Sequence, residues 1–476
     1  MISRNKFFNR MLILVATTLV IATSTSPLNM ESTFAENKVI TLSNKSTPDI
    51  TANNLSFGVI SDTHVGPRKH NEIDRLTKVF KFFNKNKADA LAVVGDLTDG
   101  GQKEEYNTWK SILKANKGNL KLVASMGNHE GNSASLFTDT TGEKPNANYI
   151  INGYHFITLS PGLGNFNEDT GRGKIQGGDN YAYVANWLKN QLKAAVNEDP
   201  KKPIFVFFHH PLQYTTYVSN ERHGRGLSTG KDSTFKSVFS GYPQVVTFFG
   251  HTHAPNNNPT SIWQDGGFTA INTSTLSYAG LESGMVGGKV EPKDCQDVAQ
   301  AMSVEVKGSK ISIHNYDLLS DKDIAQTWQF DVSSPKSFIY TKARSKDAQA
   351  PIFEDTNSIS VNNVNLTEAT LKFNQASEPY NKINDIVECY KYDLINQKTG
   401  RVIKSFKNWS EYYIDPMPQF ITQKITGLTP GTEYIVKIYA IDAFNKISDS
   451  YLSITFNTEK LIKSPKLSNS NDKKTL

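Results

Sequence analysis

The chain has 476 residues, 38% hydrophobic and 21% charged, with a formal net charge of +6. Such a length argues for two or three domains, and such a composition excludes a disordered chain. The positive balance is mild and spread along the chain, so it gives no nucleic-acid footprint. Cys295 and Cys389 are the only cysteines. They exclude a disulfide framework and a thiolate metal cluster, and leave open one disulfide or two free thiols.

Arg4, Lys6 and Arg10 precede an apolar run from Met11 to Ala22, and small residues follow around Thr33-Phe34-Ala35. A charged stretch, an apolar stretch too short for a bilayer and a cleavage-like site predict a signal peptide over residues 1–35. The mature protein is therefore expected to be secreted, and no later run is long enough for a membrane span. Residues 36–54 are polar and read as a linker.

Leu55–Ile60 reads as a strand stopping at Ser61-Asp62. Ile73, Leu76, Val79, Phe80 and Phe83 have helical spacing within Asn71–Asn84. Ala90–Val94 is a strand ending at Gly95-Asp96, Glu104–Ala115 a helix, and Leu120–Ser125 a strand ending at Gly127-Asn128-His129. Tyr181–Asn197 follows as a helix, then strands Pro203–Phe208, ending at His209, and Val245–Phe249, ending at Gly250-His251. Strands alternating with helices predict an α/β layered sheet. Ligands sit beyond the carboxyl ends of strands in such sheets, so these Asp-, Asn- and His-bearing loops are expected to converge on one edge. The Gly-rich or polar loops 161–180 and 211–235 are expected to shape the pocket. Strand-like runs continue from about 268 to 332, with a hairpin at Gly308, and predict a second sheet packed on the first.

Residues 333–350 are polar and read as a second linker. From Pro351 to 459 the runs alternate with turns at Ala369–Phe373, Glu388–Ile395, Arg401–Phe406, Gln423–Ile425, Glu433–Ile441 and Tyr451–Phe456. That pattern predicts an all-β immunoglobulin-like sandwich. The stretch Gly427 to Tyr434 resembles the fibronectin type III pattern, which implies that the Tyr434 hydroxyl reaches back to backbone. The tryptophan expected on an early strand is missing, with Phe373 nearest. A polymer or cell-surface ligand is expected for this module, and residues 460–476 form a polar tail.

Five short elements stand at the strand ends: Asp62-Thr63-His64, Gly95-Asp96-Leu97-Thr98-Asp99, Gly127-Asn128-His129-Glu130, His209-His210-Pro211 and Gly250-His251-Thr252-His253. One alone is weak, because a three-residue pattern recurs by chance. In order, they resemble the calcineurin-like metallophosphoesterase superfamily over residues 55–255 and leave no ligand position of that family unfilled. The resemblance implies a four-layer α/β/β/α domain over residues 55–332. It also implies two divalent transition-metal ions. Asp62, His64, Asp96 and His253 would hold one, and Asp96, Asn128, His209 and His251 the other, with Asp96 bridging. Two cations about 3.5–4 Å apart clamp both oxygens of an in-line displacement. Imidazole with carboxylate and amide oxygen suits Mn, Fe, Zn or Co better than Ca or Mg.

The family likeness implies that His129 stabilises phosphate charge or protonates the leaving oxygen. Asp99 is expected to accept the other ring N–H of His129 and fix its tautomer. Purple acid phosphatases carry a metal-binding tyrosine where Asp99 stands. His70, His155, His223 and His314 fit no element, and His210 is expected to face away from the ligands. The reading is hydrolysis of a phosphomonoester or phosphodiester by a metal-bridging hydroxide. A 5′-nucleotidase is disfavoured, because Gly131-Asn132 follows Glu130. The alternative is an extracellular binding or adhesion protein on a non-catalytic scaffold.

Overall fold

A computed structural model of the protein describes residues 54–67, 71–130, 134–161, 181–221, 234–282, 291–379 and 383–462. The expected signal peptide, nearly all of the linker 36–54, most of the tail, and the loops 162–180 and 222–233 lie outside the described residues.

The first domain starts with β1 (Asn54–Ile60), α1 (Glu72–Lys85), β2 (Ala90–Val94), α2 (Lys103–Asn116), β3 (Lys121–Ser125) and α3 (Ala134–Thr141). It continues through β4 (Ala147–Ile151), β5 (Tyr154–Leu159), α4 (Ala185–Glu198), β6 (Ile204–Phe208), α5 (Thr234–Phe239), β7 (Val245–Phe249), β8 (Ile262–Trp263) and β9 (Thr269–Asn272). A meander of β10 (Gln300–Lys307), β11 (Lys310–Asp317) and β12 (Lys322–Asp331) closes it.

Two six-stranded sheets result, in the orders β12-β11-β10-β1-β2-β3 and β4-β5-β6-β7-β9-β8. Strand side chains alternate between faces. Ala90, Ala92 and Val94 of β2 enter the core between the sheets, and Leu91 and Val93 face the helices. Phe57 sits in the inter-sheet core, its ring 4.9 Å from those of both Phe156 and Phe205. Residues of α1, α2 and α3 cover the first sheet, and residues of α4 and α5 cover the second. The layers are therefore α/β/β/α. Parallel strands buried on both faces read as unbroken apolar runs, which explains why β2 and β6 stand out in the sequence.

One expectation is corrected. Of the strands of 268–332, only β9 joins the second sheet. That sheet is β4 to β9, and β10 to β12 extend the first one. β2 occupies one edge of β1, so the other edge is open, and β10 pairs antiparallel along it from Asn54↔Lys307 to Val59↔Met302.

Beyond the first domain come β13 (Ile359–Asn362), β14 (Glu368–Asn374), β15 (Val387–Asn396), β16 (Arg401–Trp409), β17 (Phe420–Thr426), β18 (Glu433–Asp442) and β19 (Leu452–Asn457). They form a three-stranded sheet, β13-β14-β17, and a four-stranded sheet, β16-β15-β18-β19, around a core that includes Leu371, Phe373, Tyr392 and Val436. The Tyr434 hydroxyl accepts a hydrogen bond from the Thr429 N–H at 2.9 Å.

The two domains share a buried apolar cluster. Tyr217, Val218, Ala254, Ala279, Leu281 and Val298 come from the first, and Cys389, Trp409, Tyr412, Tyr413 and Ile441 from the second. Both cysteines are free thiols; Cys389 is buried in this cluster, and Cys295 packs against it. Polar bonds cross the same joint. Asn258 Nδ2 donates to Glu388 Oε1 at 3.0 Å, and the Tyr413 hydroxyl donates to the Lys293 carbonyl at 2.9 Å. Residues 333–350 lie along the first domain. The Ile339 and Tyr340 N–H groups donate to Gln264 Oε1, and Arg344 Nη2 donates to the Pro259 carbonyl at 2.7 Å.

Candidate metal centre

β1 and β2 end side by side, and the loops beyond them stay paired. The N–H groups of Asp62, His64 and Val65 donate to the carbonyls of Gly95, Asp96 and Leu97 at 3.0–3.1 Å. This register sets Asp62 and Asp96 as neighbours at the carboxyl edge of the first sheet. Two motif glycines allow close approach from the other strand ends. A Cβ on Gly127 would collide with the Asp96 carboxylate, and one on Gly250 with that of Asp62. Asp62, His64, Asp96, His251 and His253 all have left-handed backbone, with φ from 43° to 66°. Such conformations in non-glycine residues persist where the surroundings impose them, and they cluster at functional sites.

The side chains converge. His253 Nε2 lies 3.1 Å from Asp62 Oδ1 and 3.1 Å from His64 Nε2. His209 Nε2 lies 3.0 Å from Asp96 Oδ2 and 3.1 Å from Asn128 Oδ1. Donor atoms of Asp62, His64 and His253, of His64, Asp96 and His129, and of Asp96, His209 and His251 each fall within 4.8 Å of one another. These overlapping groups and Asn128 bring together every residue expected from the five motifs. Asp62, His64, Asp96, His209 and His253 are buried, while Asn128 is exposed and His129 and His251 are partly so. The cage thus opens on the side of Asn128, His129 and His251.

The outward ring nitrogens decide what the inward ones can do. His209 Nδ1 lies 3.0 Å from the Val94 carbonyl, and His253 Nδ1 lies 2.9 Å from the Tyr278 carbonyl. His64 Nδ1 faces Asp99 Oδ1 at 3.4 Å. Each of these partners is an acceptor, so each Nδ1 carries a proton and each Nε2 faces the cage, as a bare lone pair wherever the ring is neutral. The Nε2 atoms of His64 and His253 then face each other at 3.1 Å, and that of His209 faces two oxygens. Only protons or cations relieve such a set, and its nitrogen, carboxylate and amide donors fit transition-metal ions.

The acid–base balance follows. Burial raises the Asp62 carboxyl, but the neighbouring His253 and His209 outweigh it and hold it at about 2. Asp96 is held well below its usual value, because His209 overcomes its burial. Burial lowers His209, yet Asp96 and Asp62 drive it up to about 9. His251 is pushed well down by burial and by His210 and His209.

Asp99 serves two histidines differently from expectation. Its main-chain carbonyl meets His129 Nδ1 in a short contact, while its carboxylate is 3.9 Å from that nitrogen and closer to His64 Nδ1. The carbonyl sets the His129 tautomer, and the carboxylate orients His64. His129 Nε2 then points inward, 3.9 Å from Asp96 Oδ2, with its side chain 27% exposed at the mouth.

Sequence reasoning left two contributors without a role. Glu130 is fully buried; its Oε1 accepts from the Thr98 N–H at 2.9 Å and its Oε2 from the Gly127 N–H at 2.7 Å. It locks the loop after β2 to the loop after β3, and its place in the fourth position of the Gly127 motif was the available signal. Tyr278 packs its ring against that of His253, tilted, with centroids 4.2 Å apart, and nothing in the spacing marks it. His210 is buried and its Nδ1 lies 3.1 Å from the Tyr181 hydroxyl, outside the cage. His155 lies between Asn148 and Glu198, and His314 lies 4.0 Å from Asp323. His70 and His223 lie outside the described residues.

Residues 55–255 match the family model described as calcineurin-like phosphoesterase. This part of the chain is a calcineurin-like phosphoesterase domain. A protein of Arcobacter nitrofigilis named "probable glycerophosphodiester phosphodiesterase" is 28% identical over 219 residues, 43% of this chain and 72% of the relative. Among solved structures, a dimetal phosphatase from Danio rerio is similar at a TM-score of 0.40 and 12% identity, covering 57% of this chain and 98% of that one. GAP50, an anchor in the inner membrane complex of Plasmodium, is similar at a TM-score of 0.40 and 15% identity, covering 58% and 89%. The phosphoesterase domain makes the chain a metal-dependent phosphoester hydrolase.

Proposed function

We propose that the protein is an exported two-metal phosphodiesterase, with phosphomonoesters as the second substrate class. The single observation that carries the metal reading is the inward-facing Nε2 atoms of His64, His209 and His253, set against two buried carboxylates. The diester preference rests on the printed name of the Arcobacter relative.

In this reading Asp62, His64, Asp96 and His253 would hold one ion, and Asp96, Asn128, His209 and His251 would hold the other. When bound, such a pair supplies an activated water and neutralises charge on the phosphoryl oxygens. The chain's own residues do the rest. The Val94 and Tyr278 carbonyls and the Asp99 carboxylate hold three imidazoles in the tautomer that points Nε2 inward. Burial of Asp62 and Asp96 excludes bulk water from the floor of the site. His129 stands at the mouth with Nδ1 on the Asp99 carbonyl, so a proton held at Nε2 is available to a departing alkoxide. Its affinity for that proton is raised; burial opposes this, and the negative charge of Asp96 and the Asp99 carbonyl outweigh burial.

Export rests on the charged and apolar N-terminal segment. A fibronectin type III-like identity for the C-terminal sandwich is supported by its three-plus-four strand division and by the Tyr434 hydroxyl bond. In this reading the sandwich takes a polymer or cell-surface ligand. The test is a paired assay on bis-p-nitrophenyl phosphate and p-nitrophenyl phosphate with Mn, Zn, Fe or Co added. Diester hydrolysis that chelation abolishes is expected. Inactivity on both esters with every metal would overturn the proposal, and a higher kcat/KM on the monoester would overturn the diester preference.

A further inference from the structure

The stretch that follows β9 passes behind one half of the cage. The Leu276 N–H donates to the Ser61 carbonyl at 3.1 Å, and the Gly280 N–H donates to the His253 carbonyl at 2.9 Å. Between them the Tyr278 carbonyl accepts from His253 Nδ1 at 2.9 Å. The Tyr278 ring lies with its centroid 4.2 Å from that of His253 and 5.8 Å from that of His64. His209 is supported separately, by the Val94 carbonyl at the end of β2.

The two supports differ in kind. Val94 belongs to a strand paired on both sides, with β1 and β3 as neighbours. Residues 273–282 form neither helix nor strand, so their shape depends on bonds from elsewhere. One side chain of α1 supplies them. Arg75 is 6% exposed. Its Nη1 donates to the carbonyls of Leu276 at 2.8 Å, Ser277 at 2.5 Å and Val298 at 3.3 Å, and its Nη2 to that of Gln296 at 2.5 Å. Carbonyls from both limbs of the β9–β10 connection thus converge on one guanidinium. Burial disfavours that cation, and the charges of Glu72, Asp297 and Asp317 offset part of the cost. A planar fork of N–H donors can serve carbonyls on two limbs at once, where an ammonium is a single point.

We propose that Arg75 is a positioning residue for the ion that Asp62, His64, Asp96 and His253 would hold. This role rests on the two-ion reading above. Arg75 fixes the carbonyls of Leu276 and Ser277, and so the place of the next one, that of Tyr278. The Tyr278 carbonyl in turn keeps a proton on His253 Nδ1 and aims Nε2 at Asp62 Oδ1, 3.1 Å away. Losing such a partner behind a ligating histidine typically weakens metal binding about 10–100-fold. The ion on the His209 side leans on β2 and is spared.

The test strips metal from the full chain and returns zinc stepwise against a chelating indicator, reading ions per chain and the affinity of each step. Wild type should take up two. Arg75→Ala should hold one of them about 10–100-fold more weakly and the other within a fewfold of wild type. Loading with cobalt identifies the weakened ion. The paramagnetically shifted ring N–H signals of His64 and His253 should fade, and that of His209 should stay. Arg75→Lys keeps a cation in place and should show a smaller loss of the same ion, which preserves the test if the alanine variant fails to fold. Lys78→Met cuts another attachment of α1, to the Leu318 carbonyl and Asp321, and should leave both ions unchanged. Two ions bound as tightly as in wild type by the Arg75 variants, or both weakened alike, would overturn the proposal, as would the same loss in Lys78→Met. A wild type that binds fewer than two ions would overturn the two-ion reading and this role with it.

Discussion

A chain ended at Ala350 should lose both stability and metal. The polar composition of residues 333–350 makes the C-terminal sandwich look separable, yet Trp409, Tyr412 and Tyr413 are buried in a cluster shared with the first domain. Aromatic side chains bury roughly 150–250 Å² each. Taking about half of that against the first domain, their removal uncovers roughly 300 Å² of mostly apolar surface. At about 25 cal/mol per Å² this amounts to about 7 kcal/mol, a large share of the roughly 5–15 kcal/mol that holds a domain folded. The loss falls close to the site. Ala254 and Ala279 of the shared cluster adjoin His253 and Tyr278, and the Gly280 N–H donates to the His253 carbonyl at 2.9 Å. The assay compares melting, metal content and kcat/KM on one small ester for the truncated and full-length proteins. A monomeric truncate with full metal content and kcat/KM within a fewfold of full length would refute the reasoning.

Asp96→Ala should strip more metal than any other ligand substitution, because both ions lose a bond; elemental analysis per chain decides, and two ions retained would contradict the bridging role. His129→Ala should keep its metal and lose about 10²–10⁴-fold in rate, least for good leaving groups. Asp99→Asn should leave the metal-saturated rate within a fewfold, since His129 leans on the Asp99 carbonyl, but should weaken metal binding about 10–100-fold through His64; a rate loss at full metal content would reverse that assignment. Glu388 is fully buried at the joint, and burial first, then the charge of Glu282, raises it from 4.5 to about 8. A raised carboxyl favours its protonated form in the folded state, so stability present below about pH 4.5 is lost as pH rises towards 8. Glu388→Gln should therefore melt higher than wild type at pH 8, with the gap closing as pH falls to 5.

The cage was legible because its chemistry needs few residue types at fixed places after strands. The strands themselves were legible because burial on both faces leaves unbroken apolar runs in β2 and β6, and a run broken only by Thr247 in β7. The hairpin of β4 and β5 was missed despite Asn152-Gly153, whose positive φ values of 50° and 78° are those of a tight strand turn. Its strands are short and interrupted by polar residues, so no run announces them. Which sheet received β10 to β12 depended on the open edge of β1, a property of the assembled sheet and not of any segment. Asp99 was placed near His129 correctly, but spacing does not tell a carboxylate from a carbonyl of the same residue. The joint was invisible for a related reason. Trp409, Tyr412 and Tyr413 look like sandwich residues until their partners arrive from more than a hundred positions away.

Five of the seven residues assigned to the ions stand on left-handed backbone. Conformations of that kind cost of order 1–3 kcal/mol each, a sum comparable to the whole net stability of a domain. The five short motifs are therefore not a portable cassette. Copied onto another parallel sheet they would relax, and their side chains would splay. What keeps them in place is the unremarked surroundings: the register that pairs Asp62 to Val65 with Gly95 to Leu97, the bare Cα atoms of Gly127 and Gly250, and the Glu130 clamp. A designer grafting this centre would have to transplant the scaffold of both loops before the ligands.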